Sequence, residues 1–152
     1  MARVCVCVYQ HVYSNVNLPF QTKPVSYIAA IACAESKRLL MRGVTTIRDA
    51  AGDVFGIQMA IDQGIIQGPR TCGSGPLLSQ HSGHGDYRNL HYLPREWGGR
   101  ISDGEAIGGF LLCNGADQVL AATRHALSLG ATQVKMATSG GVCSFTDPLH
   151  VN

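Results

Sequence analysis

The chain has 152 residues, the length of one ordinary domain, with 45% hydrophobic residues and only 14% Asp, Glu, Lys and Arg. Against a usual charged share of about 25%, this core-rich composition excludes a disordered chain. The net charge of +2 gives no electrostatic basis for binding nucleic acid or an anionic membrane. The apolar run Met1 to Tyr9 is too short to span a bilayer and lacks a signal-cleavage pattern, and no other run reaches spanning length.

Val4-Cys5-Val6-Cys7-Val8-Tyr9 is a continuous β-prone run, the pattern of a strand buried on both faces in a parallel sheet. It ends at Gln10-His11, and Val16 to Lys23 reads as loop, punctuated by Pro19 and Pro24. Ser26 to Arg42 predicts a helix whose face carries Ile28, Ile31, Glu35 and Leu39, with Lys37, Arg38 and Arg42 toward its end and Gly43 as its stop. Val44 to Asp49 is a β-branched strand, followed by the small turn Ala50-Ala51-Gly52. Val54 to Gln63 is a short helix closed by Gly64, and Arg70 to Gly75 a third short strand. From Pro76 to about Gly104 the chain reads as one long irregular loop holding His81, His84, Asp86, Tyr87, His91 and Trp97; a loop of that length is usually functional or mobile. Ala116 to Leu129 is the clearest helix, with Asn114 as the expected N-cap and Gly130 as the stop. Gln133 to Ala137 is the fourth strand, and Thr138-Ser139-Gly140-Gly141 turns the chain.

The helix–glycine–strand join recurs: a cation, Arg48 or Lys135, follows Gly43 or Gly130 by five residues. Repeated αβ joins of this kind belong to parallel α/β folds. Four such strands fit half of a (β/α)₈ barrel, which needs about 250 residues. An open doubly wound sheet is the competing architecture, but no G-x-G-x-x-G turn follows the first strand. Cys5, Cys7, Cys33, Cys72, Cys113 and Cys143 include no C-x-x-C pair; they read as buried reduced thiols and point to a reducing, cytoplasmic compartment.

In parallel α/β folds ligand groups gather at the C-terminal ends of strands, which here are His11, Asp49, the Ser74-Gly75 turn and Lys135. A strand-end histidine can give a neutral imidazole nitrogen to a metal or sit hydrogen-bonded in a loop. Lys135, one of only three lysines, lies in the otherwise uncharged stretch Ala131 to Gly141. Burial would lower its pKa and suit it to a Schiff base, a general base or carbamate formation; the plain alternative is a lysine that snorkels to water. Ser82-Gly83-His84-Gly85-Asp86 sets a histidine between glycines, which allow close approach to a ligand, and Asp86 is placed to orient the ring; a flexible glycine loop is the alternative. Ser139-Gly140-Gly141 can offer backbone N–H groups to an anion, although Gly-Gly turns are common.

Taken together, several of these segments resemble the amidohydrolase superfamily in its imidazolonepropionase-like branch. Gly43 to Gly52 resembles its second-strand motif, Gln67-Gly68-Pro69-Arg70 with Ser74 to Gln80 its third-strand region, and Gly83-His84-Gly85-Asp86 its glycine-flanked histidine. Val134 to Val142 resembles its fourth strand, with Thr146-Asp147-Pro148 in place after it. The match runs in order from about His11 to the last residue, and the motifs are specific jointly rather than singly.

The resemblance implies a metal-dependent hydrolase that opens carbon–nitrogen bonds of amides, cyclic amides or dipeptides, with one or two zinc ions at the mouth of a (β/α)₈ barrel. It implies His11 as a metal ligand and Lys135 as the lysine that is carboxylated to bridge two zincs. Tyr13 stands where the second histidine of a His-x-His pair is usual, and a phenol titrating near 10 is a poor zinc ligand, so the second zinc position is the weaker one. His84 is implied as a substrate or oxyanion contact, Ser139 and Gly140 as substrate-binding, and Asp49 with Arg48 as organisers of the barrel mouth, Asp49 with a catalytic role. The chain departs from the family in having about ten residues before His11, where relatives build part of a β-sandwich, and in ending at Asn152, before the further histidines and the proton-shuttling aspartate of strands five to eight.

The fold expected is therefore α/β, a partial (β/α)₈ barrel of about four βα units, with residues 1–152 forming a single partial barrel segment. The activity expected is that of a segment of a zinc hydrolase acting on a small amide, inactive in isolation. The alternative is a non-catalytic half-barrel that forms a homo-oligomer or pairs with a missing C-terminal half, because four strands leave two open edges and an apolar inner face.

Overall fold

A computed structural model of the chain describes residues 3–5 and 23–141. In chain order it contains β1 (Arg3–Cys5), α1 (Val25–Met41), β2 (Thr46–Arg48), α2 (Phe55–Asp62), β3 (Arg70–Cys72), β4 (Leu77–Ser79), a 3₁₀ turn at Arg95–Trp97, α3 (Asp103–Ala106), β5 (Phe110–Leu112), α4 (Ala116–Ser128) and β6 (Met136–Ala137). The fold is mixed α/β with parallel strands. One sheet runs β1-β2-β3 and the other β5-β4-β6, all pairs parallel. No described helix is long and apolar enough to cross a membrane.

The helices end as their glycines predict. Gly43 and Gly130 take φ values of 85° and 100°, a region that costs an L side chain energy. Each closes the same two-bond motif: Gly43 N–H reaches Leu40 O and Val44 N–H reaches Leu39 O, while Gly130 N–H reaches Leu127 O and Ala131 N–H reaches Ala126 O. The motif turns the chain sharply back toward the sheet, which is why each helix is followed within a few residues by a strand. Glu35 and Arg38 pair one turn apart on the outer side of α1.

The buried face of α1 is Ile28, Ala32, Ser36 and Leu39, so the expected stripe through Ile31 and Glu35 is rotated by about one residue. Two small residues, Ala32 and Ser36, lie in this face, which suits close packing of α1. Ser36 satisfies its hydroxyl on Ala32 O at 2.8 Å within its own helix. One core cluster joins Ala32, Leu39, Ile47, Val54 and Ile57, and a second joins Leu78, Cys113 and Ala122. Each lies between the strands and the helices that cross over them.

Two sequence expectations change. The third strand is shorter than expected: it ends at Cys72, the chain runs on through the buried residues Gly73 to Pro76, and a separate strand, β4, follows. β3 pairs with β2, whereas β4 takes β5 and β6 as neighbours. The stretch expected to be irregular from Pro76 thus opens with a strand, and contains a 3₁₀ turn and the start of α3. The expected N-cap of α4 moves as well. Gly115 caps that helix, and the Asn114 side chain turns instead to His81, with Oδ1 accepting the His81 backbone N–H at 3.1 Å and Nδ2 3.1 Å from His81 Nδ1. A long-range partner outbids the local cap, which sequence spacing does not show.

Candidate active site

Asp49 follows the C-terminal end of β2, the His84 loop follows β4, and Ser139-Gly140 follows β6. From β4 the chain runs through Ser79 into the His81–Asp86 loop, which docks back on the strand ends. Gly85 N–H donates to Ser79 Oγ at 3.1 Å, and His84 N–H donates to Ser139 O at 3.1 Å. A Cβ at Gly83 would lie 2.4 Å from Ser79 Oγ, and one at Gly85 2.8 Å from Ser79 Cβ. The glycines on both sides of His84 are thus explained by close approach to β4. The structure brings together His84, Ser139 and Gly140, with the imidazole partly exposed.

Asp86 is buried, and its described partners are Arg88, at 2.6 and 2.8 Å, and the Ser82 backbone N–H, at 2.9 Å. It holds the loop rather than the His84 ring in these contacts. Burial opposes its ionisation, but the hydrogen bonds from Arg88 and Ser82 outweigh burial and hold the carboxyl below its ordinary range. The Arg88 guanidinium is raised, first by the bond to Asp86. A depressed carboxyl stabilises the fold above the ordinary aspartate range and loses that contribution as pH falls through the depressed value. The expected result is that Asp86→Asn lowers stability at pH 7 by about 1–3 kcal/mol and that the difference from wild type shrinks below about pH 4. Urea titrations at both pH values measure it.

Asp49 is fully buried at the end of β2. Its N–H donates to Cys72 O at 2.9 Å, and its carbonyl accepts from Gln133 Nε2 at 3.1 Å. Gln133 Nε2 also reaches Cys72 O at 2.8 Å, so one amide group ties the ends of β2 and β3 to the segment that leads through Lys135 into β6. Gln133 was not among the residues the sequence singled out. Its only signal is a polar side chain two positions before the lysine, on the same side of an extended segment. Gln133→Leu leaves two carbonyls without this donor and is expected to cost about 1–3 kcal/mol in chemical unfolding.

Lys135 is exposed, and its backbone carbonyl accepts from Leu78 N–H at 3.0 Å. Of the two sequence readings, this exposure matches the lysine that reaches water; the residue lies just before β6, which among the described strands pairs with β4 alone. Arg48 is likewise exposed at the end of β2. His11 and Tyr13 lie outside the described residues, as do Thr146, Asp147 and Pro148. Among the described residues no group of three His, Cys, Asp or Glu is placed to hold a metal ion. Cys113 is buried and free, its thiol pushed up by burial; Cys33 and Cys72 are partly buried and free.

No family model matches the chain. It is 32% identical over 149 residues to ochratoxinase of Aspergillus niger, a match that covers 89% of this chain and 29% of that protein. Among solved structures it resembles a prolidase complexed with N-methylphosphonate-L-proline, with a TM-score of 0.81 and 31% identity, covering 97% of this chain and 35% of that one. It also resembles an amidohydrolase, with a TM-score of 0.73 and 36% identity, covering 86% of this chain and 32% of that one. The parallel α/β core and these likenesses agree: the chain is related to the amidohydrolases, and it spans 29% of the length of the curated relatives it matches.

Proposed function

We propose that this chain is the part of a metal-dependent amide hydrolase that forms the first βα units of a (β/α)₈ barrel and one side of its active site. The observation that carries the reading is the docking of His84 on Ser139 at the C-terminal ends of parallel strands, 3.1 Å from N–H to carbonyl. It places a partly exposed imidazole beside the Ser139-Gly140-Gly141 turn, where a polarised carbonyl oxygen or a substrate carboxylate has both ring and backbone donors within reach. The substrate class proposed is an amide of the dipeptide type, which the prolidase and Xaa-Pro dipeptidase among the similar structures support.

Zinc is the proposed metal, with His11 and a carbamylated Lys135 as its ligands. Bound zinc polarises a carbonyl and lowers the pKa of water. The exposure of Lys135 supports access of carbon dioxide to its amine, but the described side chains do not by themselves complete a metal centre. Asp49 acts from its buried place at the end of β2, organising the mouth through backbone contacts to β3 and Gln133. The free thiols support a reducing, cytoplasmic setting.

A second reading, a half-barrel that pairs with another chain, is favoured by apolar surface: Met59, Leu120, Leu127, Leu129 and Met136 are all about half exposed or more. One experiment separates them. The purified chain is assayed with zinc against N-acyl amino acids, Xaa-Pro dipeptides and cyclic imides, and sedimented at micromolar concentration. Zinc binding with turnover below about 1 per second, the low end of enzyme rates, is expected for one part of a longer catalytic unit, whereas self-association without zinc binding would favour the pairing half-barrel. A monomer with faster, zinc-dependent turnover would show that the described segment suffices, and a monomer without zinc affinity would remove the hydrolase reading.

A further inference from the structure

The residue after Gly140 has a role that its neighbours do not explain. A Cβ built on Gly141 would fall 2.2 Å from Nδ1, 2.8 Å from Cε1 and 3.0 Å from Cγ of His84. The imidazole thus lies against bare backbone, closer than any residue with a side chain at 141 permits. The backbone of the His84 loop is not placed to withdraw. His84 N–H is held by Ser139 O, Gly85 N–H is held by Ser79 Oγ, and Gly83 already closes on the same hydroxyl. What can give way is the ring, through its two side-chain torsions.

We infer that Gly141 is a positioning residue, whose missing side chain sets the direction in which His84 presents its ring nitrogens at the ends of β4 and β6. The orientation rests on the geometry of the two segments. Its consequence for turnover rests on the reading of His84 as a substrate contact. In Gly141→Ala the loop keeps its backbone bonds, and the imidazole turns to another rotamer away from the Ser139-Gly140 backbone.

The test uses the 152-residue chain labelled with ¹³C and ¹⁵N at histidine. In Gly141→Ala the ring resonances of His84 are expected to move by more than a line width, while those of His81, His91 and His125 stay in place. Unchanged His84 resonances would overturn the inference, as would equal shifts at all of these four histidines among the six in the chain, which would mark a general rearrangement. A second measurement guards against a variant that folds poorly. Gly141→Ala is expected to lower Tm by several degrees in the wild-type background and to have little effect in His84→Ala, where no ring meets the new methyl group. Equal losses in both backgrounds would show that the contact with His84 is not the cause. The hydrolase reading fails separately: if His84→Ala leaves both kcat and KM of an active enzyme unchanged, His84 is no substrate contact, while the ring shift on Gly141→Ala still stands or falls by itself.

Discussion

Zinc binding by this chain is expected to strengthen with bicarbonate, and Lys135→Ala is expected to weaken it at least about 100-fold and to abolish the bicarbonate effect. The magnitude follows because outer partners of metal ligands are already worth about 10–100-fold in affinity. An ammonium group has three donors and no lone pair to give a metal. A carbamate on the same nitrogen has two oxygens, and its formation needs a neutral amine with access to carbon dioxide. The exposure of Lys135 supplies that access. Calorimetric titration with zinc, with and without bicarbonate, and metal content per chain by elemental analysis measure the effect. Because Lys135 is exposed, the substitution is expected to leave thermal unfolding within about 0.5 kcal/mol of wild type, so a loss of zinc is not a loss of fold. Equal zinc binding in both proteins would make Lys135 a solvated strand-end lysine and withdraw it from the site.

The largest loss of stability is expected at Ile47. It is 1% exposed at the centre of β2, where it packs with Ala32, Leu39, Val54 and Ile57 and pairs through its backbone with Val4 and Thr71. Ile47→Ala removes methyl and methylene groups from between two helices and leaves a cavity that the paired strand cannot easily collapse, at a cost of about 2–5 kcal/mol. Against a total of about 5–15 kcal/mol for a domain, that is a large share. Urea unfolding followed by circular dichroism measures it. A midpoint shift without a change of slope is the expected form, since the surface exposed on unfolding barely alters. A loss below about 1 kcal/mol would mean that β2 is not part of the cooperative core.

Lys135 and Ile47 illustrate two different kinds of legibility. Ile47 stands in a β-branched run between a glycine-stopped helix and a small turn, and local chemistry alone predicts a buried strand there; the structure agrees. The same holds for α1, α2 and α4, whose ends are written in Gly43, Gly64 and Gly130 because only a residue free to take positive φ closes those helices cheaply. The glycines beside His84 suggested close approach to a ligand, and the structure sets them instead against Ser79 of β4.

What the sequence by itself determined was therefore local: the parallel α/β class, the helix stops, and the motifs around His84, Lys135 and Ser139 that carry the likeness to amidohydrolases. Only the tertiary structure decided the remainder. It ended the third strand at Cys72 and made a separate strand of Leu77–Ser79, because β3 and β4 find different neighbours. It made a strand of Phe110–Leu112, three residues too few for any period to show, through pairing with Leu77–Ser79. It turned Asn114 from a helix cap to a partner of His81, and gave Gln133 two carbonyls from strands 61 and 84 residues away along the chain. It also left Lys135 exposed just before β6, deciding between the buried amine and the lysine that reaches water, which the uncharged residues around it had left open. Hydrogen bonds and burial of this kind depend on which segments meet in space, and the spacing of residues along one chain does not encode that choice locally.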